Sequence, residues 1–326
     1  MLELFDDKVN RLTGYKSLHG FSLGLISIFI PIFIAKQGFS PSVVFSFLLI
    51  DFIAFSIVAV PTGWLTSKIG VRKTLLSSSL LYILVFIMLQ TLSLNITIIL
   101  LSGSLIGLAK SLHWIPINTE YTSGSERENR GKNYGKLSGF PEIFGALAPL
   151  IGALIMTYFG FNLLIVISLI LALCSIGPLL FGENKDNLVF NIEGMIDIDN
   201  LDLWFLYFLD GFATIAYVFI FPLFIFYVIG GTLNVGFVKT LMAVGAGVFS
   251  LALGSISDKI SQKDLVLGGG IISGIIYLLF PSLEAVLPAF ILSFIAGLFY
   301  KSYTIPLMSI LADVAEKENL LGFFSV

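Results

Sequence analysis

Polar and apolar residues do not alternate along this chain. Apolar residues come in long runs, and charged residues gather in the short gaps between them. From Leu23 to Phe33 nearly every helical face is apolar, as in a helix surrounded by lipid. A membrane helix needs about 20 mostly apolar residues. Ten such stretches are predicted, near 17–36, 42–66, 74–93, 96–121, 139–158, 162–182, 203–229, 234–256, 264–282 and 286–312. A membrane β-barrel would show short segments of alternating polarity instead. The first run is too long for the apolar part of a cleaved signal peptide, and no small-residue cleavage site follows it.

Composition supports a bilayer as the solvent. The 326 residues are 57% hydrophobic and 12% charged, whereas soluble domains are about 25% charged. That excludes an ordinary soluble enzyme and a disordered chain. A net charge of −3 argues against nucleic acid as a partner. The single cysteine, Cys174, excludes an internal disulfide framework and a cysteine metal site. It lies in an apolar stretch and reads as a small buried packing residue.

Basic residues set the orientation, because they concentrate on the cytoplasmic side. With the N-terminus in the cytoplasm, the inner segments hold Lys8, Arg11, Lys16, Lys68, Arg72, Lys73, Arg127, Arg130, Lys132, Lys136, Lys185, Lys259, Lys263 and Lys317. These are most of the 18 lysines and arginines. Only Lys36 falls outside, while Lys110, Lys239 and Lys301 lie within spans. The expected setting is a multi-pass protein of the plasma membrane, in contact with its lipids. The outer loops are short, which leaves no large extracellular binding domain.

The chain also repeats itself. Gly20, Phe21, Pro31, Phe33 and Ile34 recur as Gly211, Phe212, Pro222, Phe224 and Ile225, and Gly63, Lys68 and Ile69 as Gly254, Lys259 and Ile260. One residue out of that frame, Gly107-Leu108 recurs as Gly297-Leu298, Ile115-Pro116 as Ile305-Pro306, and Glu126–Asn129 as Glu316–Asn319. The shift spans an even number of helices, so both copies enter the membrane in the same sense, a known transporter plan. The predicted organisation is a six-helix half over 1–182, an acidic cytoplasmic linker over 183–202, and a second half over 203–326.

Gly63-Trp-Leu-Thr-Ser67-Lys68-Ile-Gly70-Val-Arg72-Lys73 resembles the signature between helices 2 and 3 of the major facilitator superfamily. It departs at Ser67, where that family usually has Asp. The second copy keeps Asp258 beside Gly254 and Lys259 but loses the later glycine. Glycine lets helices approach closely, and the basic residues hold a tight turn against the anionic leaflet. The resemblance implies an all-α bundle of two parallel six-helix repeats. Counterparts of 139–158 and 162–182 would fall near 330–373, beyond Val326, so the chain reads as a twelve-helix plan without its last two helices. Gly145 to Ala153 resembles a degraded form of the helix-5 signature of family antiporters, with Ala148 and Ala153 where glycines are expected. It reads as a kink and close-packing site.

Ionisable groups inside a membrane are costly, so each is a functional candidate. The resemblance implies a central cavity lined by helices 1, 4, 7 and 10. These carry His19; Lys110 and His113; Asp210, Thr214 and Tyr217; and Lys301 and Thr304. Lys110 and Lys301 could clamp an anionic substrate; alternatively they pair with Asp210 or Glu142, or lie against backbone carbonyls. Histidine titrates near neutrality, so His19 and Asp210 could couple transport to protons; a structural pair is the other reading. Asp51 has no polar neighbour one turn away on its own helix, so a partner must come from another helix. Lys239 is expected to snorkel, and Pro116 and Pro306 to help their helices bend. Gly20-Phe-Ser22-Leu-Gly24 matches a hydrolase motif in letters, but a nucleophile elbow needs a strand-to-helix turn. The chain carries no phosphate loop and no His-Glu-x-x-His zinc pattern. The expected function is secondary active transport of a small solute, by a monomer, with no cofactor and no enzymatic activity. A transporter-like sensor or a non-transporting relic is the alternative.

Overall fold

The computed structural model describes residues 8–91, 93–123, 141, 145–181, 188–191, 201–256, 261–315, 320–323 and 325. Among these residues every regular element is helical. The first span is α1 (Lys8–Ile26) followed by α2 (Phe29–Lys36). The break between them falls where Pro31 lacks the N–H that would bond the Ser27 carbonyl one turn back. Next come α3 (Pro41–Ile69), α4 (Val71–Thr91), α5 (Ile96–Ser123), α6 (Ala148–Tyr158) and α7 (Phe161–Leu180). The following span is broken into α8 (Leu201–Ile215), a π-helical turn (Ala216–Ile220), α9 (Phe221–Phe224) and a second π turn (Ile225–Ile229). The chain continues with α10 (Thr232–Ile256), α11 (Gln262–Leu279), α12 (Val286–Ala315) and a short α13 (Leu320–Phe323).

Nine described helical segments are long and apolar enough to cross a membrane, and Ala148–Tyr158 is a shorter apolar one. They coincide with the ten predicted stretches. The fifth is described over fewer residues because 142–144 lie outside the described set. Pro116 and Pro306 sit inside α5 and α12, which continue past them. Tight links reverse the chain. Gly70 ends α3 at φ 82°, with its N–H on the Thr66 carbonyl, and α4 starts at the next residue. A side chain at that φ would be strained. Cys174, expected to be buried, is exposed, on the side of α7 where Val166, Ile170 and Leu173 are exposed as well.

The packing repeats as the sequence does. In the first repeat α5 crosses α3 through two glycines. A Cβ on Gly107 would collide with the Asp51 carbonyl, and one on Gly103 would stand 2.8 Å from the Phe47 carbonyl. In the second repeat α12 crosses α10 in the same way, with Gly297 against the Met242 carbonyl and Gly245 against the Phe294 carbonyl. Gly107 and Gly297 are repeat partners, and so are Asp51 and Met242 in the frame that relates Gly20 to Gly211. Without water between helices, this close backbone approach and the dispersion contact it permits drive association.

The two repeats meet along α6 and α10. Gly236 of α10 lies against Ala153 and the Pro149 carbonyl of α6. On its other side α6 meets α1, with Gly152 against the Leu25 carbonyl and Gly24 against Ala148. The segment from Gly145 to Ala153 is therefore a close-packing site on two flanks. At the loop end of the same seam, the Lys36 ammonium donates to Thr232 Oγ1 at 2.7 Å.

Gly107→Ala and Gly297→Ala are expected to cost about 1–3 kcal/mol each, as overpacking does, because backbone blocks the new methyl. Gly20→Ala, with nothing within 4 Å, is expected to leave stability unchanged. Thermal unfolding in detergent checks this; equal midpoints for the three variants would contradict the glycine crossing.

Candidate functional site

Lys110 stands one turn beyond Gly107 on α5, on the same face. That face crosses α3 at Asp51. The tight crossing brings the Lys110 ammonium onto the Asp51 carboxylate in a direct ion pair through Oδ2. The Asp51 side chain is 2% exposed and that of Lys110 19%. The ammonium also sits 4.8 Å from the ring centre of Phe52 and 5.0 Å from that of Phe219. Phe219 belongs to the π turn after α8 and is the second repeat's contribution here. A π turn widens the backbone ring and shifts the following side chains around the axis. Asp51 Oδ1 is buried without a hydrogen-bond partner among the described residues. The pair lines a cavity of about 50 Å³ with Ser27, Tyr82 and a wall of Leu23, Ile26, Ile30, Phe47, Phe86 and Ile106.

The next layer is aromatic. His19 is fully buried, stacked on His113 at 4.8 Å and on Tyr15 at 5.1 Å. Its edge faces Tyr82 at 5.2 Å. The Tyr15 hydroxyl and His113 Nδ1 are 2.9 Å apart in a hydrogen bond. Both ring nitrogens of His19 lack a hydrogen-bond partner among the described residues. His19 joins this first-repeat cluster, and its ring contacts do not include Asp210.

Asp210 lies in the second repeat. Its surroundings are phenolic, with Tyr207, Tyr277, Tyr300 and Tyr303 near it; Asp210 Oδ1 and the Tyr303 hydroxyl are each buried without a hydrogen-bond partner among the described residues. Thr214 and Tyr300 share a hydrogen bond at 3.0 Å. Tyr217 stacks flat on Tyr300 at 4.1 Å and donates to the Met242 carbonyl at 3.1 Å. Thr304 is buried, with no hydrogen-bond partner for its hydroxyl among the described residues. Lys301 is half-buried on α12.

Two charged residues differ from expectation. Lys110 pairs with Asp51 and not with Asp210; Glu142 lies outside the described residues. Lys239 does not snorkel. It turns inward, donates to the Val218 carbonyl at 3.2 Å, and lies 5.4 Å from the Tyr217 ring centre. A π turn changes which carbonyls find an N–H in the next turn, and Val218 is within one. No feature of the sequence announces that turn, so this contact was not readable in advance. Phe219 was missed for the same reason.

The basic turn between α3 and α4 is built as a cap. Ser67 Oγ donates to the Trp64 carbonyl at 2.7 Å. The Arg72 guanidinium donates to the Leu180 carbonyl at 2.8 Å, at the end of α7; cations favour that end of a helix. Lys68 and Lys73 are exposed. The Phe190 ring packs where a Gly63 side chain would stand. Gly254 lies near the end of α10, while Asp258 and Lys259 fall outside the described residues. Among the described residues no group of three or more His, Cys, Asp or Glu side chains is placed to hold a metal ion.

Asp51→Asn or Lys110→Gln alone leaves a buried, unpaired charge, and each is expected to cost about 3–5 kcal/mol. The double variant Asp51→Asn/Lys110→Gln leaves no charge unpaired and is expected to recover most of that loss. A double-mutant cycle on thermal midpoints measures it; additive losses would show that the two groups do not depend on each other.

Comparison with known proteins adds one finding. The sequence profile of the Major Facilitator Superfamily matches residues 16–194 and 203–326. No curated protein matches the chain.

Proposed function

The chain belongs to the major facilitator superfamily, and from that premise we propose that it is a secondary active transporter working by alternating access. Membership makes it a membrane transporter for a small molecule, and the nine long apolar helices among the described residues make it an integral multi-pass protein. The finer reading takes residues 1–182 and 203–326 as two units that rock about a midplane site, joined by a linker over 183–202. It places the N-terminus in the cytoplasm of a plasma-membrane protein, following the lopsided basic residues. A solute or proton gradient would drive the cycle.

The observation that carries this reading is the repeated glycine crossing. Gly107 on Asp51 and Gly297 on Met242 give each repeat a rigid pair of helices at equivalent places. Between the repeats one glycine contact, Gly236 on Ala153 and the Pro149 carbonyl, is joined by polar contacts: Phe219 gives Lys110 a ring face, and the Lys36 ammonium gives Thr232 one charge-assisted hydrogen bond. A cation–ring contact is worth about 0.5–2 kcal/mol and a charge-assisted hydrogen bond about 1.5–3 kcal/mol. A seam of one glycine contact and a few such polar contacts can open, while the two-glycine crossings inside each repeat hold.

Spin labels at Lys36→Cys and Thr232→Cys, in a Cys174→Ser background, test the motion. In lipid nanodiscs two populated separations are expected, one short, as in the structure, and one longer. The Gly107→Ala variant should leave both separations in place. A single narrow separation under all conditions of pH and lipid would contradict alternating access across this seam.

A further inference from the structure

We infer that the Asp51–Lys110 cavity is a binding site for a short-chain aliphatic monocarboxylic acid, taken with its proton. The inference rests on the transporter reading and names the substrate class of that site.

The argument starts from what the pair leaves unsatisfied. Asp51 uses Oδ2 on Lys110, while Oδ1 is buried with no partner among the described residues. An ammonium has three N–H donors, and the single hydrogen bond Lys110 makes among the described residues goes to Asp51. Its other two donors have only the faces of Phe52 and Phe219. An acceptor lacking a donor therefore stands beside donors lacking an acceptor, both at the edge of one cavity.

A ligand must supply both complements at once. A fully ionised inorganic anion brings only acceptors and sets its charge against Asp51 Oδ1, and a protonated oxyanion such as dihydrogen phosphate brings an O–H but turns its further polar oxygens on the apolar wall. An organic cation brings no acceptor and sets its charge against Lys110. A carboxylic acid group has one O–H donor for Oδ1 and one carbonyl acceptor for the ammonium. Its proton can pass from the ligand oxygen to Asp51 Oδ1. The ligand is then a carboxylate paired with Lys110, Asp51 is neutral, and the net charge of the site has not changed. A primary amide matches the same donor and acceptor but cannot make this transfer, so it never gains the charge-assisted bond to Lys110.

The rest of the cavity selects the tail. Beside the Ser27 and Tyr82 hydroxyls the lining is Leu23, Ile26, Ile30, Phe47, Phe86 and Ile106, which offers no second cation to a second carboxylate and mostly apolar surface to a hydroxyl-rich chain. A volume of about 50 Å³ holds only a few water-sized groups, each needing about 10–15 Å³, so the chain is short. The titratable and charged groups facing Asp51 are few: Lys110 from α5 and Tyr82 from α4, with His19 of α1 behind the Tyr82 ring at 5.2 Å.

The test is calorimetric titration of the purified full chain with propionate at pH 7, in two buffers of different ionisation enthalpy. Saturable binding with uptake of a proton for each propionate is expected. Propionamide is expected to bind at least about tenfold more weakly, the difference between a charged and a neutral hydrogen bond, and without proton uptake. The double variant Asp51→Asn/Lys110→Gln is expected to keep a cooperative unfolding transition and to lose propionate binding. Propionate binding without proton uptake, equal binding by the double variant, or saturable binding of phosphate or tetramethylammonium in place of propionate would each overturn the inference. Should propionate not bind while the spin-label pair shows two separations, this inference falls and the transporter reading stands. Propionate bound with its proton, but with a single label separation, supports the site and overturns the transporter reading.

Discussion

The approach of α5 to α3 is the constraint on which the rest depends. Two glycines, Gly103 and Gly107, bring the helices into backbone contact, and nothing larger fits between them. With the axes this close, a side chain one turn along α5 has to point at whatever α3 presents at the crossing. α3 presents Asp51 and α5 presents Lys110, so their ion pair follows from the crossing geometry. The second repeat uses the same crossing differently. Gly297 meets Met242 on α10, and Tyr300, one turn along α12, stacks on Tyr217 of the π turn after α8, whose hydroxyl donates to the Met242 carbonyl. The equivalent crossing thus carries an ion pair between its own two helices in one repeat and borders a tyrosine stack with a third segment in the other.

Much of this architecture was legible in the sequence, for a physical reason. A membrane-embedded helix must be long and apolar, so the spans stood out. Glycines and prolines in a near-constant frame exposed the repeat, because close crossings and kinks tolerate few other residues. The Asp51–Lys110 pair was half legible. Asp51 clearly needed a partner from another helix, since its own offered none. Identifying that partner required knowing that α3 and α5 cross at Gly107. The signal was present: Gly107 lies three residues before Lys110, and its repeat equivalent is again a glycine. Without the crossing point, an anion clamp between the two lysines and a pairing with Asp210 or Glu142 stood side by side as open readings.

The π turns were not legible at all. Residues Ala216 to Ile229 read as a plain apolar span, and nothing in their composition separates an α from a π hydrogen-bond pattern. Those turns nevertheless account for the placements of two residues. Phe219 reaches the Lys110 ammonium from one of them, and Lys239 finds the Val218 carbonyl in the same one. Sequence reasoning assigned Lys239 to the membrane surface because an isolated lysine near a helix end usually stretches outward. A backbone acceptor inside the bundle reversed that balance.

The placement of charge also fits a protein whose repeats move against each other. An ion pair spanning the seam would have to be stripped each time the seam opened, and breaking a buried pair costs about 3–5 kcal/mol. Here the pair is closed within the first repeat, and among the described residues the second repeat touches it through the face of Phe219. Losing that contact costs about 0.5–2 kcal/mol, and losing the charge-assisted bond between Lys36 and Thr232 at the end of the same seam about 1.5–3 kcal/mol. In the proposed motion the buried pair therefore stays within one repeat, and the polar contacts that cross the boundary cost less to break. The buried pair can then meet a ligand entering between the repeats, with its unsatisfied oxygen and its spare donors at the edge of the cavity where the two units part.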